Sequence, residues 1–167
     1  MRPFNLVAFS SSLAGLIITA CLWLATPDQA ALLVAPRAAA ADIVSTAWAV
    51  PLRPSFGSHD PACASAAWRF VMSQPDRRAL LEAIFERSDQ PAGRLLALAG
   101  LRIVDSGAAG TRIEQWRRRL RPADSVPVTA TDNDGPRPVT AALELVEDGQ
   151  VTRGLLLDHA TLFQACY

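Results

Sequence analysis

Residues Pro91–Val104 read PAGRLLALAGLRIV, and this stretch decides the fold. Apolar side chains fall nearly all round a helix drawn through it, interrupted mainly by Arg94 and Arg102. A helix that is apolar on every side belongs in the middle of a domain. Gly93, Ala97 and Gly100 share one face of it. Each glycine weakens a helix by roughly 1 kcal/mol relative to alanine. Close approach of a neighbouring helix is the expected compensation, with a ligand groove along the small-residue face as the alternative. Asp105-Ser106-Gly107 ends the helix.

Working outward, the preceding helix is expected at Pro75–Arg87, with Ser73 and Asp76 spaced like a capping box. Leu80, Leu81, Ile84 and Phe85 share a face there, while Arg77, Arg78, Glu82 and Glu86 mostly point away. Before it, Pro61–Met72 reads as a helix carrying Trp68, Val71 and Met72, with Asp60 as N-cap and Pro61 at the first helical position. After the central helix, Ala108–Leu120 carries an apolar stripe of Ile113, Trp116 and Leu120.

The pattern then changes. Ser125–Thr131 (SVPVTAT) alternates and is β-branched, so it reads as a strand. Asp132-Asn133-Asp134-Gly135 reads as a turn, and Val139–Glu147 as a short helix ended by Gly149. Val151–Leu157 reads as a second strand, paired with Ser125–Thr131. The fold class expected is therefore mainly α. It is a domain of four to five helices at 60–167 with a minor two-stranded β element near the C-terminal end. Residues 26–59, rich in Ala and Pro, read as a tether, within which Ile43–Val50 forms a short strand or lays one Trp on the body.

Two resemblances attach to the quoted stretch. ERSDQPAGRLLALAGLRIVDSGAAGTRIEQWRRRL resembles a HEAT-like helical pair: an Arg- and Leu/Ala-rich helix, an Asp-containing turn and a second amphipathic helix. PAGRLLALAGL also resembles a recurrent segment of uncharacterised exported bacterial proteins. The first covers about 35 residues and has no second copy at a fixed period, which a solenoid requires. HEAT-like proteins are interaction scaffolds, so the resemblance implies a binding role.

Residues 1–25 carry the address. Leu6–Ala25 has no charge and Arg2 precedes it, which suits a membrane-entering helix, since about 20 apolar residues span a bilayer. Three fates follow. A retained transmembrane anchor places the body outside, with Arg2 inside. A cleaved signal needs a small-x-small site, and the best, Ala39-Ala40-Ala41, lies far behind the apolar run. A lipoprotein would use Cys21, because Ile18-Thr19-Ala20-Cys21 resembles the bacterial lipobox. All three export the body, giving a cell-membrane, extracytoplasmic location, or else a secreted or lipid-anchored one. The chain has no Lys, so every cation is Arg, and with its abundant Ala this points to a GC-rich bacterial coding sequence.

Arg and acidic residues balance at 16 each. No strong field draws nucleic acid to such a chain. In an oxidising compartment, Cys63 and Cys166 form the candidate disulfide, with Cys21 set aside in the membrane segment. His59 and His159 could join those cysteines around zinc, but the spacings match no strong metal motif. A Cys–His nucleophile pair has no orienting partner. The Asp132–Gly135 turn lacks the flanking acidic ligands of a calcium loop, having Ala130 and Ala141 instead. Arg112, Arg117, Arg118, Arg119 and Arg121 form the candidate patch for an anionic partner, read against an ordinary solvated helix end. No nucleophile elbow, phosphate loop, zincin motif or dinucleotide fingerprint occurs. Glu82, Glu86, Glu144 and Glu147 sit at spacings expected of solvent faces. No catalytic, cofactor-binding or metal residues are assigned. The reading is an exported, membrane-tethered binding domain with a protein or cell-envelope partner. Its alternatives are an envelope enzyme with a dispersed site and a structural lipoprotein.

Overall fold

A computed structural model describes residues 27–52, 59–129 and 135–157. The chain divides into two units, 1–36 and 37–167. The elements are α1 (Pro27–Ser45), β1 (Val50–Pro51), α2 (His59–Ser73), α3 (Arg77–Arg87), α4 (Pro91–Val104), α5 (Ser106–Arg117), β2 (Ser125–Thr129), β3 (Gly135–Pro138), α6 (Val139–Glu147) and α7 (Gln150–Leu157). The protein is mainly helical with a small sheet. Among the described residues no helix is long and apolar enough to cross a membrane. The Leu6–Ala25 run lies outside them.

Helix α4 is the centre. It packs against α2, α3, α5, α6 and α7 and against β1 and β2. Ala92, Gly93 and every residue from Leu95 to Leu101 are buried. Gly93 sits where a Cβ would fall 2.6 Å from the Ser45 carbonyl oxygen and 2.8 Å from that of Val44, so the small-residue face receives the C-terminal end of α1. The expected close approach is present, and the groove alternative is filled by protein.

That contact also moves the edge of the body. Ala40, Ala41, Val44, Ala47 and Val50 all join the hydrophobic core. The sequence places these residues in a tether; burial shows that the compact body takes in chain from Arg37 on. Their small size hides them, because alanines carry little pattern when the face they cover is itself glycine and alanine. Only Val50–Pro51 is strand in that region, and Trp48 is half exposed.

Helix ends depart from expectation in two places. Helix α2 begins at His59, so Asp60 and Pro61 stand inside its first turn. The Ser73–Asp76 capping box does not form. Ser73 Oγ donates back to the Phe70 carbonyl at 2.7 Å, and Asp76, at the N-cap of α3, makes no side-chain cap bond and pairs with Arg37. The working cap is Asp105, whose Oδ1 accepts from Ala108 N–H at 2.9 Å and starts α5. Asp105→Ala should lower stability by about 1 kcal/mol, within the usual 0.5–2 for a lost N-cap. The partner ion pair with Arg78 at 3.0 Å is exposed and adds little. A denaturant midpoint unchanged from wild type would show that the cap is dispensable.

Among the described residues the β element has three strands, in the order β1-β2-β3. β1 pairs with β2 in parallel, Val50 opposite Val128, and β3 pairs with β2 antiparallel, Val126 opposite Arg137. Val151–Leu157, read as a strand from sequence, lies instead in α7. Its buried residues Val151, Gly154 and Leu155 recur at helical spacing, and Gly149, at φ +72°, lets α7 start directly after α6.

The real partner strand, Gly-Pro-Arg-Pro, is hidden by its prolines. Pro127 lies opposite Pro136, and Ser125 opposite Pro138. Opposed pairs in an antiparallel ladder alternate between bonded and non-bonded. Proline has no N–H, so these are the non-bonded pairs. Pro136 and Pro138 therefore turn their nitrogens to the outer edge, leaving β3 no donors with which to recruit another strand.

Candidate functional site

Among the described residues a concavity lies beside Trp116, where α3, α4, α5 and the segment leading into β2 meet. Two depressions of about 390 and 340 Å³ share Arg94, Trp116, Leu120 and Asp124 along their walls. Through these shared walls they form one groove. Its floor is built by packing. Trp116 falls on the inward stripe of α5 and is 7 % exposed. The Phe85 ring meets it edge to face at 6.0 Å between centroids. Such aromatic contacts add a directional preference to simple burial.

Arg94 is the polar centre of the groove. It interrupts the apolar surface of α4 one turn from the helix start. Its Nε–H donates to the Ser88 carbonyl at 2.8 Å, and its guanidinium lies 5.8 Å from the Trp116 ring centroid. Ser88 is itself held, since it is buried and its Oγ donates to the Ser45 carbonyl at 2.5 Å. The guanidinium is thus held at one nitrogen and lies over a ring. Its two terminal nitrogens, Nη1 and Nη2, have no acceptor among the described residues.

The Arg cluster expected from sequence is divided by the structure. Arg112 pairs with Glu86 and lies over the Phe85 ring, 5.7 Å from its centroid. Arg117 pairs with Glu114 and with Glu147, the latter at 2.8 Å. Glu86 and Glu147 therefore do more than face solvent: each ties a helix to α5. Arg118, Arg119 and Arg121 are exposed and have no carboxylate partner among the described residues. Of the five, Arg112 and Arg119 line the groove.

Three groove residues were not singled out in the sequence: Arg94, Asp89 and Asp124. Asp89 and Asp124 line the same depression as Arg94. Asp124 Oδ2 accepts from the Arg121 backbone N–H at 2.8 Å. The signal that points to Arg94 is its place among buried residues in the first half of α4, whereas Arg102, the other cation of that helix, is exposed near its end. Nothing in the pattern singles out the two aspartates.

The remaining site residues fall elsewhere. Cys63 lies on α2, and Cys21 and Cys166 both lie outside the described residues. So do His159 and Asp132–Asp134. Among the described residues no group of three or more His, Cys, Asp or Glu side chains gathers as a metal site. No protein-family model matches the chain, and neither the curated proteins nor the solved structures provide a match.

Proposed function

We propose that the chain is an exported domain of a bacterial cell envelope, held at the membrane by Leu6–Ala25, that works by binding in the groove beside Trp116. The observation that carries the binding role is Arg94, oriented by Ser88 and Trp116 while its terminal nitrogens stay uncommitted. A side chain held in place before any ligand arrives loses little entropy on binding, which favours recognition.

Retention of the N-terminal segment has its own support. Cleavage after Ala41 would remove Ala40 and Ala41, both buried in the core, and Arg37, the ion-pair partner of Asp76. A body trimmed there would lose two core side chains and that ion pair, so an uncut anchor fits the fold better.

Two measurements test the proposal. A reporter active only after export, fused behind Tyr167, should be active. A silent exported reporter beside an active cytoplasmic one would remove the location. A photo-crosslinking side chain at Gln115, which is exposed and lines the groove, should give a discrete adduct in intact cells that Arg94→Gln abolishes. An adduct unaffected by Arg94→Gln would take the groove out of the function. Intact mass of the native protein separates the three N-terminal fates, since a chain starting near Asp42 or a lipid on Cys21 would each replace the anchor.

We further propose that Cys166 is the partner of Cys63, closing a loop of about 100 residues and pinning the C-terminal end of the chain to α2. Peptide mapping of protein taken from its native compartment should recover the two residues in one cross-linked peptide. Recovery of Cys63 joined to Cys21, or of a free thiol on Cys166, would overturn the pairing.

A further inference from the structure

We infer that the groove takes a small zwitterion of dipeptide size, its carboxylate on Arg94 and its ammonium between Asp89 and Asp124. The inference rests on the groove being the binding site and adds the chemistry of what it binds. Arg94 supplies the first half. With Nε held by Ser88 at 2.8 Å and the guanidinium carbon over the Trp116 ring at 5.8 Å, Nη1 and Nη2 remain as a pair of donors in the plane of the guanidinium. Two parallel N–H groups of that kind match the two oxygens of a carboxylate, and the charge-assisted bonds are among the stronger polar contacts available.

Asp89 and Asp124 supply the second half and exclude polyanions. Asp89 is exposed and makes no hydrogen bond or ion pair among the described residues. Asp124 uses Oδ2 on the Arg121 backbone N–H, which leaves Oδ1 available. A phosphate or sulfate on Arg94 would share the depression with both carboxylates, and like charges repel. A ligand with a cation beside its carboxylate turns that repulsion into attraction.

The charge balance of the whole groove agrees. Arg112 is neutralised by Glu86, which leaves Arg94 and Arg119 against Asp89 and Asp124. A surface with two charges of each sign complements a molecule with both signs, not a simple anion. Leu120, shared by both depressions, offers an apolar contact for a side chain. At about 390 Å³ the larger depression is near the lower end of small-molecule sites, which run from about 300 to 1,000 Å³. That size suits two amino-acid residues better than a longer peptide.

The test uses the full chain in detergent micelles, with L-alanyl-L-leucine as the probe. Its N-acetyl and C-amide derivatives and inorganic phosphate serve as comparisons. The Arg94 Nε–H and the Trp116 indole N–H report in a nitrogen–proton correlation spectrum. The free dipeptide should shift both signals saturably. Blocking either end should weaken binding by at least about tenfold, the loss of one charge-assisted contact. Arg94→Gln should abolish binding. Asp89→Asn should weaken the free dipeptide and leave the N-acetyl form unchanged. That variant sits on an exposed side chain, so it keeps the test open if Arg94→Gln does not fold.

Equal binding of blocked and free dipeptides would overturn the inference, as would phosphate saturating the site as well as the dipeptide does. If no probe binds while the Gln115 adduct still depends on Arg94, the groove is a binding site for other chemistry and only this inference falls. If the adduct is also independent of Arg94, both fall.

Discussion

Leu98→Ala and Leu101→Ala are each expected to lower the unfolding free energy by about 2–5 kcal/mol, while Arg118→Ala stays within about 0.5. Both leucines have no exposed surface, and both lie on the helix that meets nearly every other element of the body. Truncation removes apolar area from burial and leaves a cavity. The surrounding groups relax only partly into it, because α4 is held by neighbours on all sides. Arg118 is exposed and pairs with nothing among the described residues, so its removal disturbs only solvated surface. Denaturant melts of the three variants, with midpoints compared at a common slope, check the ranking. An Arg118→Ala loss as large as the leucine losses would mean that α5 presents a different face to the core.

The second large effect concerns close backbone approach. Gly154→Ala and Gly93→Ala should each destabilise by about 1–3 kcal/mol, the usual range for overpacking. At Gly154 a methyl group would stand 2.6 Å from the Pro51 carbonyl oxygen and 2.6 Å from the Leu52 carbonyl carbon. At Gly93 it would meet the Ser45 and Val44 carbonyls. These neighbours are main chain, which cannot rotate aside, so α7 must leave β1 or α4 must leave α1. Gly100 differs, because its nearest neighbours are the ends of Leu81 and Met72, which can shift. Gly110 is the control. It is helical with open space around it, so Gly110→Ala should stabilise by about 0.5–1 kcal/mol. Melts that give Gly154→Ala and Gly110→Ala the same sign would show that contact geometry does not set these values.

How much of this was legible in the sequence varies by element, and the reason is periodicity. The bounds of α4 and α6 coincide with the apolar patterns that announced them, Pro91–Val104 and Val139–Glu147. Both carry enough large apolar residues to define a face. Helix α7 was misread because Val151 and Thr152 are β-branched and Leu155 to Leu157 form a run, which suits a strand as well as a helix. Strand β3 was passed over because two of its four residues are proline. Tertiary context tolerates them only because both occupy non-bonded positions on an edge. In the groove, the Arg cluster drew attention to α5, whereas Arg94, Asp89 and Asp124 come from separate segments and carry no joint pattern.

The sequence alone determined a buried central helix with amphipathic helices around it, and an apolar N-terminal run of membrane length. Those properties are local: each follows from side chains that repeat within one turn or one strand of their neighbours. The tertiary structure alone decided that Ala40, Ala41, Val44, Ala47 and Val50 belong to the core, that the described sheet has three strands, and that Arg94 lies over Trp116 in a depression shared with Asp124. Each of these depends on main chain or side chains brought together from distant positions. Alanines against glycines, prolines at non-bonded register and one cation beside two aspartates become meaningful only once packing sets the distances between them.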